Sequence, residues 1–368
     1  MQETAHSLRH AVDLTFDLSK LRTPVATDWQ GPYSVPESRA ERLFRAAHIA
    51  LSLAVQEKMD SPTEAILPLL FRGLDQVTPS VYKVTSDSSG TGGAAKQRED
   101  FQALLRELWE ASCMSQGLVG ELVCDAHNLA ELFSLREQEA LGNNLASSRI
   151  TSIRNGLKLR SAKELAVEAV SISPNRYWKE TQANQHLADY LYEIGQLRVT
   201  QRSGWLNLKI APESVSEHSL RAAQMAYLVA RISESDDTNG VTPCALAAHL
   251  LVHDNTENRT GDPNAVSKRY VEVNEPLVLS HQIAKIGDVG TLVNKMHRAV
   301  SVEQKTALGL LAKDIDRLEM VVTAIELERA GIRDLDGWIT GTKPSIKTEI
   351  GKQVMQYIEE RSGKSRKP

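Results

Sequence analysis

An apolar run, Leu250-Leu251-Val252, ends on an adjacent imidazole and carboxylate, His253-Asp254. Glu257 follows one helical turn after His253, and Gly261-Asp262 lies just beyond. Burying an imidazole beside a carboxylate is costly unless something compensates both. A divalent cation does so, because imidazole nitrogen and carboxylate oxygen are both natural ligands for it. The dipeptide alone is weak evidence, since a hydrogen-bonded core histidine beside a solvated aspartate is the commoner arrangement. Two further residues complete a possible set: His218, in Ser216-Glu217-His218, and Asp316, in Asp316-Arg317-Leu318-Glu319. Two histidines and two aspartates make a mononuclear site completed by water, suited to Mn, Co, Fe, Mg or Zn.

Helices must position these groups. Apolar residues recur at three- and four-residue spacing, as in Leu43, Ala46, Ala47, Ala50 and Leu51, or Leu220, Ala223 and Tyr227, and no stretch alternates strictly. The expected class is all-α. A chain of 368 residues has room for two domains. A formal charge of −4 implies no nucleic-acid partner. Three scattered cysteines, Cys113, Cys124 and Cys244, read as small buried side chains in a reducing compartment. The first twenty residues lack the pattern of a secretory leader, and no apolar run is long enough to span a membrane. The expectation is a cytoplasmic protein with no membrane partner.

The chain repeats itself. Phe16 to Arg22 lines up with Tyr192 to Arg198, Trp29 meets Trp205 (205 − 29 = 176), and Pro36-Glu37-Ser38 and Glu41 meet Pro212-Glu213-Ser214 and Glu217. Both copies carry Ser-x-x-Glu before an apolar run, a capping box in which Ser and Glu satisfy orphan amides of the first turn. Ser61-Pro62 matches Thr242-Pro243, an N-cap followed by proline, and Leu69-Leu70 matches Leu250-Leu251 (250 − 69 = 181). Asp125, Leu129, Glu139, Gly142 and Lys163 match Asp314, Leu318, Glu328, Gly331 and Lys352 (314 − 125 = 189). Two copies of one helical unit are therefore expected, over residues 1–170 and 188–368, joined by a linker at 171–187. Ser86 to Ala95, rich in Ser, Gly and Thr, reads as a flexible loop.

The first copy is a control for the second. His218 faces Arg42, His253-Asp254 face Arg72-Gly73, Asp316 faces His127, Glu257 faces Gln76, Asp262 faces Val81 and Arg202 faces Ala26. Independent drift of surface residues would not remove all these groups together. Asp314 fails the same test, since Asp125 matches it, and is excluded as a ligand. His249 reads as a core or surface histidine, and His281 and His297 lack the surroundings expected of extra ligands.

The second half resembles the HD superfamily of metal-dependent phosphohydrolases: His218, His253-Asp254 and Asp316 match its H…HD…D pattern. It looks most like the 5′-deoxynucleotidase branch, through Tyr192-Glu193-Ile194-Gly195, Arg202-Ser203-Gly204-Trp205, Pro212 to His218, His253-Asp254-x-x-Glu257, Gly261-Asp262 and Asp316 to Glu319. The resemblance implies an all-helical fold, one divalent metal per site, hydrolysis of a deoxynucleoside 5′-monophosphate, and a homodimer. Here the dimer would be internal, a pseudo-dimer of the two copies, with further association of chains left open. The resemblance further implies that Asp262 contacts the sugar or the leaving oxygen and that Trp205 lies against the sugar; packing explains Trp205 equally, because Trp29 is retained.

By residue chemistry, Glu257 could accept a proton from the attacking water or orient it, and Arg202 is the candidate phosphate clamp. Within enzymes the alternatives are a deoxynucleoside triphosphate hydrolase or a phosphodiesterase. Outside them is a nucleotide-binding regulator. Arg42 and Arg72 exclude a cation from the first half, which either scaffolds the second or holds a regulatory nucleotide.

Overall fold

The computed structural model describes residues 2–23, 36–74, 93–113, 116–174, 183–210, 212–233, 241–301, 303 and 305–362. Ala26, Trp29, Gln76 and Val81, the first-half partners of Arg202, Trp205, Glu257 and Asp262, lie outside them, as do residues 86–92 and 175–182.

The N-terminal part runs α1 (Gln2–Leu18), α2 (Arg39–Gln56), α3 (Leu67–Leu70), α4 (Gly93–Ser112), α5 (Gly117–Ala140), α6 (Ala146–Gly156) and α7 (Arg160–Ser171). Then follow α8 (Leu187–Gly195), α9 (Ser203–Leu206), α10 (Val215–Ser233), α11 (Pro243–Val252), α12 (Glu257–Thr260), α13 (Glu275–Ile283), α14 (Gly287–Ser301), α15 (Ala307–Arg329), α16 (Asp336–Thr342) and α17 (Glu349–Ser362). The protein is all-α; the described residues form no strand, and Gln201 and Ser214 pair only in an isolated bridge. No helix there is long and apolar enough to cross a membrane.

Local signals account for several helix starts. Ser38 Oγ accepts the Glu41 amide at 3.2 Å while Glu41 accepts the Ser38 amide at 2.7 Å, and Ser214 and Glu217 repeat the exchange at 3.3 and 3.0 Å. These are the two expected capping boxes. Thr242 caps α11 through the Ala245 amide at 3.2 Å. Its partner Ser61 differs from expectation: it makes no cap hydrogen bond, because Pro62–Ile66 is wound as a 3₁₀ turn. Gly93-Ala94-Ala95 also differs, being helical rather than loop, in keeping with the high helix propensity of alanine. Asp125 accepts the Lys158 and Leu159 amides, and Asp314 accepts those of Lys347 and Thr348 in the same way, so both are helix-end anchors rather than ligands.

Packing does not follow the chain order. Helix α1 lies against α10 and α17, whereas α8 lies against α2 and α7. Each half thus lends its first helix to the other, and buried apolar residues from Leu8 to Ile358 form one continuous core. The crossing is tight: a Cβ on Gly195, at the end of α8, would come within 2.0 Å of the Arg45 guanidinium on α2.

At the centre of this interface the capping boxes touch, since Ser214 Oγ donates to Glu41 at 2.9 Å. Burial, reinforced by the neighbouring Glu217 carboxylate, pushes Glu41 up to about 7. The folded state then binds a proton that the unfolded chain releases near pH 4.5, so this stabilisation is present in acid and is lost as pH rises toward 7. Gln is a permanent mimic of the protonated form. Glu41→Gln is expected to match the parent's thermal midpoint at pH 5 and exceed it by a few degrees at pH 8. An equal drop at both pH values would show that Glu41 is instead ionised and firmly bonded.

Candidate metal centre

Three mutually packed helices deliver the site. His218 projects from the first turn of α10, His253 and Asp254 follow the last turn of α11, and Asp316 lies on α15. His218 Nε2 is 3.2 Å from Asp316 Oδ1 and 3.7 Å from Asp254 Oδ2. His253 Nε2 is 3.1 Å from Asp254 Oδ2 and 3.7 Å from Asp316 Oδ1. The structure therefore brings all four predicted ligands together.

The hydrogen-bond pattern selects the ligating atoms. His253 Nδ1–H donates to the Leu250 carbonyl at 2.6 Å, and His218 Nδ1–H donates to Glu319. Both Nε2 atoms are buried with no hydrogen-bond partner. Anchoring one ring nitrogen and aiming the other at carboxylates is how a metal-ligating histidine is held. Ligand atoms of His218, His253 and Asp254 lie within 4.8 Å of one another. These donors fit one divalent cation.

Electrostatics point the same way. Burial and the Arg202 charge oppose protonation of His218, but Glu319 and Asp316 raise it to about 9. Against the same burial, Asp254 and Asp316 raise His253 to about 10. Asp254, Asp316 and Glu319 are held below the usual carboxylate range despite burial, Asp254 chiefly by His253, Asp316 by both histidines and Glu319 by Arg221. Without a metal the ring protons of the two histidines answer Asp254 and Asp316, the place a bound cation would take. A second acidic group, Glu213, His218 and Glu319, surrounds the other nitrogen of His218, but Arg22 and Arg221 already neutralise it.

Around this centre, Arg202 Nη1 stands 3.3 Å from Asp254 and 3.9 Å from Asp262. Asp262 accepts the Ser203 amide at 2.8 Å, which fixes the turn carrying Arg202. Glu257 Oε2 is buried without a partner, and burial together with the charges of Asp254 and Asp262 pushes its carboxyl well up. The turn between α11 and α12 is clamped from below. Gln282 Nε2 donates to the Asn255 carbonyl and to Glu193, each at 2.9 Å, and Arg259 pairs with Glu193 at 2.8 Å.

Trp205 does not line the centre. It is 2 % exposed, stacks on Trp338 with centroids 4.8 Å apart, and donates Nε1–H to Glu213 at 3.0 Å. In this arrangement its face is given to packing and none is offered to a sugar. His249 donates to the Ala245 carbonyl at 2.6 Å, and neither His281 nor His297 joins the ligand cluster, although His297 is buried near enough for the His253 charge to help lower it to about 4.

Two residues beside the centre carried no assignment from the sequence: Glu319, bonded to His218, and Lys313, whose Nζ is 3.7 Å from Asp316. Comparing the halves would have flagged both, since Glu319 faces Ala130 and Lys313 faces Cys124 at the offset of 189. In the first half Arg42 is paired with Glu37 at 2.8 Å, and no ion pair to Arg72 is found among the described residues.

Comparison with known proteins gives a consistent outcome. The HD-domain family profile matches residues 194–357. A 5′-deoxynucleotidase of Xenopus laevis (HDDC2) is 30 % identical over 188 residues, covering 49 % of this chain and 90 % of the relative. A 5′-deoxynucleotidase of Saccharomyces cerevisiae (YGK1) is 30 % identical over 189 residues, covering 48 % and 84 %. The Dictyostelium discoideum HDDC2 protein is 29 % identical over 143 residues, covering 37 % and 74 %.

Proposed function

The chain belongs to the HD-domain family of metal-dependent phosphohydrolases, and from that premise we propose that it is a 5′-deoxynucleotidase, releasing phosphate from a deoxynucleoside 5′-monophosphate at a single centre in its second half. The observation that carries this reading is the pair of orphaned, buried Nε2 atoms of His218 and His253 facing Asp254 and Asp316, with Glu257 and Arg202 alongside. The substrate class is supported by the names of the relatives.

His218, His253, Asp254 and Asp316 would hold the cation. When bound, such an ion acidifies a water molecule and offsets charge on the phosphoryl group. Glu257 Oε2 is the atom that accepts the proton of the attacking water; its buried, acid-crowded setting raises its basicity above that of an ordinary carboxylate, as suits a general base. Arg202, held by Asp254 and Asp262, presents a planar fork to the phosphate oxygens. Asp262 acts through this turn rather than on the sugar, and Trp205 supports the same turn from the core. The two halves are read as one internal pseudo-dimer, with the first copy supplying interface rather than chemistry.

The test is phosphate release from a panel of deoxynucleoside and ribonucleoside mono-, di- and triphosphates with Mn or Co. Release from deoxynucleoside monophosphates, lost on chelation, is expected. Cleavage of triphosphates with monophosphates untouched would move the assignment within the family. Release from none of them would reject catalysis on nucleotides.

A further inference from the structure

Glu319 is fully buried and accepts a hydrogen bond from the Nδ1–H of His218. A carboxylate with no exposure to water stays ionised only if neighbouring charges compensate it. Two guanidinium groups do so. Arg221, from the same helix as His218, reaches Glu319 at 2.6 Å and Glu326 at 2.8 Å. The other is Arg22, which comes from the first half of the chain, in the 3₁₀ turn Ser19–Arg22 that follows the exchanged helix α1. Its side chain is 15 % exposed, bonds Glu213, and stands 3.4 Å from Glu319 and 3.6 Å from Glu326.

The reciprocal crossing exists without the last link. Arg198, the counterpart of Arg22, approaches Glu137 at 4.0 Å, and Arg45, the counterpart of Arg221, pairs with Glu137 at 2.8 Å. Where the second half has Glu319 the first has Ala130, and where it has His218 the first has Arg42. The arginine–glutamate frame is thus common to both halves, and only one half carries the carboxylate that joins the frame to an imidazole.

We propose that Arg22 is a positioning residue of the metal centre: the first half reaches across the interface to hold Glu319, and through it the ring of His218, so that Nε2 faces the cation. This rests on the metal centre assigned above, and it gives the ligand-less half a part in the working site. Contacts one step behind metal ligands, the place Glu319 occupies, are worth about 10- to 100-fold in metal affinity; Arg22 acts one step further back, through Glu319.

The experiment is titration of the metal-free full chain with Co(II), read by the visible spectrum of the bound ion and by calorimetry, for the parent, Arg22→Met, Arg22→Lys, Glu319→Gln and His218→Ala. Arg22→Met is expected to bind Co(II) several-fold and up to about tenfold more weakly with a changed spectrum, less than Glu319→Gln, and Arg22→Lys to fall between it and the parent, since an ammonium keeps the charge but cannot bridge three carboxylates. Combining Arg22→Met with Glu319→Gln should cost little beyond Glu319→Gln alone, because the two act in series. A role confined to folding would lower the melting temperature of the metal-free protein and leave the affinity and spectrum of the folded fraction unchanged. A folded Arg22→Met with parental affinity and spectrum overturns the proposal. If Arg22→Met does not fold, parental behaviour in Arg22→Lys overturns it equally. A parent that binds Co(II) no better than His218→Ala would refute the metal centre itself, and this inference with it.

Discussion

Asp254→Ala is expected to abolish stoichiometric binding of Mn or Co and to lower phosphate release by roughly three orders of magnitude or more, given that a coordinated water loses its proton near pH 7 rather than near ~15.7. Asp254 is the one carboxylate that faces both imidazoles and Arg202, at 3.1, 3.7 and 3.3 Å. Its removal takes away a cation ligand and loosens the phosphate clamp together. The fold should survive, because the side chain keeps 16 % of its surface exposed and the two imidazoles can shed their protons once the carboxylate is gone. Metal content by elemental analysis, paired with a melting curve, checks this. A variant that melts as the parent does and retains both its metal and its activity would remove the assignment of the centre.

Glu257→Gln should act on turnover rather than on the cation. The carboxylate lies beyond the ligand set, its Oε2 is buried without a partner, and its pKa is driven up by burial and by Asp254 and Asp262. A base of raised pKa gives a rate that climbs with pH as the group loses its proton, and the amide cannot reproduce that limb. Expected is a fall in kcat of about 10²- to 10⁴-fold with unchanged Co(II) affinity, and a flattened acid side of the pH–rate profile. A kcat within a few-fold of the parent, with the acid limb intact, would assign the proton to another group.

The helical class and three helix starts were legible in the chain because the signals are local. Ser38 and Ser214 with their glutamates, and Thr242 with Pro243, act within one turn of backbone. The metal set was legible for a different reason: His218, His253, Asp254 and Asp316 change residue type together between otherwise matching halves, and the structure draws those four side chains to one point. Ser61 shows the limit of a local signal, since a residue type suited to capping forms no cap where the following turn is 3₁₀.

What the chain alone determined, then, is which residue types can bind a cation and where a few of the helices begin, because capping and periodicity operate over three or four neighbours. The tertiary structure decided which surfaces meet. It lent α1 and α8 to opposite halves, buried Trp205 against Trp338, and carried Arg22 to Glu319 across 297 positions of sequence. Those partnerships depend on which apolar faces are buried together, and a pairing between such distant residues leaves no trace in the spacing of either one.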